Sequence, residues 1–237
     1  MVIFDCDGTL VDSQDNICAA MRQAFEANRL SVPARERLLG VVGLSLPIAF
    51  ARLAEDSADG LAYQIDALVS AYRNAFSVLR ASPDDLEPLY PGAREAVEAL
   101  ARRSDTVLGM ATGKSQRGAR RVLSQHRLSA CFATIHTSDD APSKPHPGMV
   151  LAAMAATRAT ANETVMVGDT TFDIEMAHAA GARAIGVTWG YHRPEALKRV
   201  GADAMIDRFD ALEAAIDRIW AASAESALLL PEGERVR

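Results

Sequence analysis

The chain has 237 residues, 49% hydrophobic and 24% charged, ordinary values for a globular protein long enough for one large domain or two small ones. Its net charge of −6 and pI near 5.4 argue against a nucleic-acid partner or an anionic membrane, which favour a basic surface, but still allow a local basic pocket for a small anion. No apolar run approaches the roughly 18 residues of a membrane span, and Cys6, Cys18 and Cys131 have neither disulfide-framework nor zinc-site spacing, so a reducing cytoplasm is the expected home.

The first element is an apolar run, Val2-Ile3-Phe4, that leads straight into Asp5-Cys6-Asp7-Gly8-Thr9. A short run of this kind reads as a buried parallel strand, and parallel sheets place ligands just beyond the carboxyl ends of their strands. Asp5 and Asp7 are two residues apart, so on extended backbone their side chains leave one face. Two carboxylates that close repel each other unless a cation or a shared proton intervenes. Taken alone, the motif fits an acidic turn equally well.

From Gln14 to Ala81 the apolar spacing is helical: Ile17, Ala20, Met21, Ala24 and Phe25, then Leu61, Ile65, Leu68, Tyr72, Phe76 and Leu79. Gly40, Gly43 and Pro47 interrupt it with loops. This all-helical block between two strand-like pieces reads as an inserted lobe. Pro83 to Pro91 is a return segment, followed by a helix over Arg94–Arg102 and a strand over Thr106–Ala111 that ends in Thr112-Gly113-Lys114-Ser115. A helix over Gln116–Gln125, a strand over Phe132–Ile135, a loop holding Ser143-Lys144-Pro145-His146-Pro147 and a helix over Met149–Ala156 come next. Strands over Thr164–Gly168, ending at Asp169, and Ala182–Val187 complete the pattern. Strands alternating with helices imply a doubly wound, parallel α/β sheet, a Rossmann-like core. The expected limits are 1–13 and 83–225 for the core, 14–82 for a helical cap, and 226–237 for a loose charged tail.

Each strand tip carries a residue suited to phosphate or metal chemistry. Thr112 offers a hydroxyl beside the amides of Gly113 and Lys114 at a helix start, which suits an anionic oxygen. Lys144 lies between prolines and acts as a point charge for phosphate. Asp169 ends a strand, and Asp173 is one helical turn further on.

On these residues the chain resembles the haloacid dehalogenase-like phosphatases, in the phosphoglycolate phosphatase-like subgroup with a helical cap after the first strand. Four motifs match in order: Asp5 to Ser13; Ala111-Thr112-Gly113; Ser143 to Pro147; and Gly168-Asp169-Thr170-Thr171-Phe172-Asp173. The resemblance covers about residues 1–220. It implies that Asp5 is a nucleophile forming an aspartyl-phosphate, and that Asp7 protonates the leaving oxygen and later deprotonates water. It also implies that Asp5, the Asp7 carbonyl and Asp169 hold Mg²⁺ with Asp173 in support, and that Thr112, Gly113 and Lys144 bind the transferring oxygens. Asp7 points to phosphoryl transfer over dehalogenation, and Thr9 leans toward hydrolysis over mutase chemistry. Two departures stand out. Only four residues precede Asp5, so a short first strand or a trimmed start is expected, and Cys6 replaces the usual Leu or Met as a small core residue.

Asp12 and Ser13 are read as capping the first cap helix, His146 as packing its loop, and Thr188 to His192 as a packed tryptophan with a possible cap contact. Arg117, Arg120 and Arg121 read as a solvated basic face. The apolar turn Gly40–Pro47, with Ser45 its one polar side chain, is where a cap of this kind would meet a small substrate. The expected activity is a Mg²⁺-dependent phosphatase for a small phosphate ester, 2-phosphoglycolate first, in a monomer or homodimer. The alternatives are another small-phosphate or pyrophosphate hydrolase, a phosphomutase, or a non-catalytic phosphorylatable module.

Overall fold

In a computed structural model of the chain, residues 1–55, 64–79 and 87–228 are described, with side chains as far as 223. Six strands, β1 (Val2–Phe4), β2 (Leu108–Thr112), β3 (Phe132–Thr137), β4 (Val165–Gly168), β5 (Arg183–Val187) and β6 (Ala204–Ile206), form one sheet in the order β3-β2-β1-β4-β5-β6. Every pairing is parallel. Because β1 lies between β2 and β4, the strand order reverses beside it, and the crevice at such a reversal is where open α/β sheets bind ligands.

The sheet is covered on both faces, and alternation along β1 shows how. Val2 and Phe4 belong to a core shared with α5 (Ala93–Arg102), α6 (Gln116–Gln125) and α10 (Leu212–Leu228). Ile3 points the other way, into a core with α7 (Gly148–Thr157), α8 (Thr171–Ala179) and α9 (Pro194–Arg199). All three residues are fully buried, so this strand is apolar on both faces, as a central parallel strand must be.

Between β1 and β2, α1 (Gln14–Ala27), α2 (Arg35–Leu39), α3 (Leu46–Glu55) and α4 (Ile65–Leu79) build a separate apolar core. Its spine is aromatic: Phe25 lies 5.9 Å from Phe50, Phe50 6.1 Å from Tyr72, and Tyr72 5.5 Å from Phe76. Each full burial of such a ring is worth about 2–3 kcal/mol, enough to fix helices whose individual propensities are modest. Phe172, from α8 of the sheet domain, is buried in this same cluster and fastens the two cores together. The way into the helical lobe and the way out run side by side, with Val11 paired antiparallel to Leu89 and the Asp12 amide donating to the Pro88 carbonyl.

Several expectations shift in detail. β2 starts at Leu108, two residues later than the apolar run suggests, and β3 continues to Thr137. The sequence reading assigns no element to β6, α9 or α10. Residues 80–86, around the expected return at 83, and 229–237 of the expected tail lie outside the described residues. Among the described residues, no helix is long and apolar enough to cross a membrane.

Candidate active site

The carboxyl ends of β1, β2 and β4 bring the motif residues together. Asp5 follows β1 directly, held by its amide donating to the Val167 carbonyl of β4 (3.0 Å). Its Oδ1 accepts from the Cys6 amide (2.7 Å) and lies 2.9 Å from Lys144 Nζ. Its Oδ2 is buried and has no hydrogen-bond partner. Asp169 Oδ1 accepts from the Thr9 hydroxyl (2.8 Å), and its Oδ2 from the Tyr191 amide (2.9 Å). Asp173 Oδ2 accepts from the Thr170 amide and hydroxyl, closing a capping box on α8, and its Oδ1 accepts from Lys144 Nζ (2.6 Å). Oxygens of Asp5, Asp169 and Asp173 converge within 4.8 Å of one another, and all three residues are buried.

Three buried carboxylates with one lysine among them leave an excess of negative charge. Burial, with Asp173 nearby, pushes the Asp5 carboxyl up against the pull of Lys144. Burial likewise pushes Asp169 well up, reinforced by Asp173 and Asp5 and opposed by the Tyr191 amide and the Thr9 hydroxyl. Burial works to lower the Lys144 ammonium, but Asp173 and Asp5 outweigh it and raise its pKa. Such a set of hard oxygen donors, with one oxygen orphaned, fits a small divalent cation. Gly8 makes the approach possible. Its φ is +83°, and a Cβ there would fall 2.3 Å from an Asp169 oxygen.

Asp7 belongs to a second, adjoining network. Its Oδ1 accepts from the Ser13 hydroxyl and from Lys114 Nζ (2.6 Å). Ser13 therefore occupies the N-cap position of α1 but makes no side-chain cap bond. The capping expected of it is corrected: the nearby carboxylate outcompetes the helix amides, while Asp12, whose Oδ1 accepts from the Gln14 amide, serves the helix start. Lys114 also bonds Glu87 Oε1 (2.8 Å), and its Nζ lies 5.6 Å from the centre of the Phe76 ring on α4. Glu87 is fully buried and reaches Arg121 Nη1 at 3.4 Å. Burial lowers the Lys114 pKa, but Asp7 and Glu87 prevail and hold the ammonium charged.

A cavity of about 430 Å³ opens over this floor. Asp5, Asp7, Thr112 and Gly113 border it, together with the Val41–Pro47 turn and α4 of the helical lobe. Gly113 is pressed against that turn, since a Cβ there would stand 2.4 Å from the Gly43 carbonyl oxygen. Lys144, Asp169 and Asp173 do not border the cavity but lie packed against Asp5, so in this arrangement the Lys144 charge is taken up by two carboxylates. The Asp7 carboxylate is outside the three-carboxylate cluster, which leaves its main-chain carbonyl as the group the resemblance assigns to a metal.

Around the site, Trp189 packs 4.7 Å from Phe209 and its indole donates to the Thr9 carbonyl, as a packed tryptophan should. His192 does touch the cap. Its Nδ1 accepts from the Thr171 amide (3.1 Å), so Nε2 carries the proton and donates to the Gly40 carbonyl (3.2 Å). His146 stays local, accepting from the Gly148 amide, and Cys6 is a buried core residue. Arg121 departs from the expected solvated face by reaching Glu87. Sequence reasoning missed the Lys114 side chain, Glu87 and Tyr191. A cation one residue past Thr-Gly is visible in the sequence, but its choice of Asp7 is not.

A crevice at a strand-order reversal, bordered by the buried Asp5, backed by the acidic cluster and roofed by a helical insert, points to a hydrolase class. The chain belongs to the haloacid dehalogenase-like hydrolases, whose family model matches residues 2–187. Within that family it is 35% identical to the probable phosphatase IndB of Dickeya dadantii, over 88% of this chain and 90% of that one. It is 33% identical to a phosphoglycolate phosphatase of Cereibacter sphaeroides, over 81% and 87%. Among solved structures it is similar to a hydrolase from Pseudomonas syringae, with TM-score 0.79, 28% identity and coverage of 92% and 98%.

Proposed function

We propose that the protein is a Mg²⁺-dependent phosphatase of a small phosphomonoester, with 2-phosphoglycolate the favoured substrate. The observation that carries this reading is Asp5. One of its oxygens is buried without a partner beside Asp169 and Asp173, and the residue also borders the cavity. A carboxylate so arranged can meet a cation on one side and a phosphorus atom on the other.

Asp5, Asp169 and the Asp7 carbonyl would hold the ion, with Asp173 and its Thr170 bonds supporting them. Bound there, Mg²⁺ supplies positive charge that offsets the carboxylates and the oxygens in transfer. In the first step an Asp5 oxygen forms a bond to phosphorus while the ester P–O bond breaks, and Asp7 gives its proton to the departing oxygen. In the second, Asp7 takes a proton from water, the water oxygen bonds phosphorus, and the Asp5–phosphorus bond breaks to release phosphate. The Thr112 hydroxyl and the Gly113 amide orient the oxygens. Lys144, already beside Asp5, neutralises the charge they carry. Ser13 and Lys114 both bond Asp7 Oδ1 and hold the residue at the cavity wall, so Oδ2 would be the oxygen that carries the transferred proton. The Gly43 turn and α4 close off bulk water.

Replacing Asp5 by Asn keeps the shape and removes the nucleophile. With Mg²⁺ present, aryl phosphate hydrolysis should fall by about 10³ or more. A variant retaining a tenth of wild-type turnover would remove Asp5 from this role. A panel of phosphate esters and pyrophosphate, read by phosphate release, ranks the substrates and separates hydrolysis from mutase chemistry.

A further inference from the structure

The cavity has three cations in its wall: Lys114, Arg73 and Arg117. Lys114 is committed to Asp7 and Glu87. Arg73 and Arg117 have no hydrogen-bond or carboxylate partner among the described residues. They come from opposite sides. Arg73 is on α4 of the helical lobe, next to Tyr72 and one turn from Phe76, both of which border the same cavity. Arg117 is in the first turn of α6, just past the Thr112-Gly113 segment at the floor. Both side chains belong to exposed residues. The roof between them is apolar, built by Val41, Val42, Leu44 and Leu46 of the cap turn.

A guanidinium bordering a cavity loses water when a ligand fills the space, and that loss is unfavourable unless an anion replaces the water. On the phosphatase reading the phosphate end of a substrate is taken by Asp5, Thr112, Gly113 and Lys144, which leaves the arginines for a different anion. Asp139, also in the wall, accepts from the Gln116 amide, and among the described residues it forms no ion pair with either arginine.

We propose that Arg73 and Arg117 form a second anion subsite, which selects phosphomonoesters bearing a carboxylate at the end remote from the phosphate. Planar, forked donors match a carboxylate in two-point hydrogen bonds. With one arginine on each side of the cavity, the same carboxylate ties the helical lobe to the sheet domain while the ester bond is held at Asp5. This assignment rests on the phosphatase reading of the floor and adds to it the class of leaving group.

The test compares 2-phosphoglycolate with 2-hydroxyethyl phosphate, a neutral analogue of like size, in wild type, Arg73→Gln, Arg117→Gln and Arg73→Lys. Within each protein the readout is the ratio of kcat/KM for the two esters. Wild type should favour the carboxylated ester by about tenfold or more, both glutamine variants should bring the ratio toward one, and Arg73→Lys should keep part of it. A wild-type ratio near one, with both esters turned over, overturns the subsite and leaves the phosphatase standing. A high ratio that survives both glutamine variants overturns it too. If wild type hydrolyses neither these esters nor an aryl phosphate, the phosphatase reading fails on its own. Calorimetric titration of the two esters then decides the subsite: equal affinities in wild type and Arg73→Gln overturn it, and selective loss for 2-phosphoglycolate supports it.

Discussion

Lys144→Met removes the only cation that touches the buried acidic cluster among the described residues, while keeping the length of the side chain. Lys144 Nζ stands 2.6 Å from Asp173 and 2.9 Å from Asp5, with all three side chains at most 1% exposed. Breaking a fully buried ion pair by deleting one partner costs about 3–5 kcal/mol, because the remaining charge is left uncompensated. For a chain of this size each kcal/mol moves the melting temperature by about 2–4 °C, so the variant should melt roughly 6–20 °C below wild type in EDTA. The sign of the pH dependence follows from the cluster. Asp5 and Asp169 already sit above the ordinary carboxylate value, and losing the lysine lifts them further. A folded-state pKa above the unfolded one means that the native state holds extra protons, so stability falls as pH rises through that range. The deficit should therefore be larger near about pH 8 than near about pH 5.5, and Mg²⁺ should narrow it by restoring a cation. Differential scanning calorimetry at both pH values, with EDTA and with Mg²⁺, measures all of this. A Lys144→Met protein melting within about 2 °C of wild type at about pH 8 in EDTA would refute the claim that Lys144 balances the cluster.

Gly113→Ala places a methyl group 2.4 Å from the Gly43 carbonyl oxygen; it should lose about 1–3 kcal/mol and lower kcat/KM as the cap turn is pushed off the floor, both readable from melts and steady-state kinetics. Lys114→Met strands Asp7 and Glu87 together, so it should destabilise by about 3–5 kcal/mol and lower kcat, whereas adding Glu87→Gln should recover about 0.5–3 kcal/mol of that in a double-mutant cycle by urea unfolding. His192 is held neutral because burial, the largest influence, lowers its pKa below the ordinary 6.5. Its contribution is thus complete at neutral pH and above, and declines as pH falls below that value. His192→Ala should cost about 1–2 kcal/mol at about pH 8 through the lost bonds to Thr171 and Gly40, and the gap to wild type should shrink on acidification.

Much of this arrangement can be read from local patterns. Val2-Ile3-Phe4 is apolar because both its faces are covered, and the acids that follow it sit where a parallel sheet exposes strand tips. Asp5, Thr112, Asp169 and Asp173 could be assigned from strand ends and helix starts, since each depends on its immediate neighbours. What escaped depends on distant partners. β6 is three residues at the sheet edge, Ala204-Met205-Ile206 with only Ile206 buried, too short a run to read as a strand. Ser13 has the look of a helix cap, and only the fold brings Asp7 close enough to divert its hydroxyl. Glu87 lies in the return segment to which the sequence reading gives no site residue, yet it is fully buried because Lys114 and Arg121 meet it there.

The short stretch after β5 serves several masters. The Tyr191 amide grips Asp169, its hydroxyl meets Ser13, Trp189 braces Thr9 and His192 anchors the cap turn at Gly40. A change in that stretch would disturb the acidic cluster and the seating of the lobe together, so neither can drift without the other. Variation that retunes which ester is accepted has freer ground on the cavity-bordering positions of α4 and α6, where Arg73 and Arg117 take no part in those shared bonds. Under the proposed subsite, chemistry and choice of ester rest on different side chains, so Arg73 and Arg117 can be changed while the shared bonds after β5 are kept.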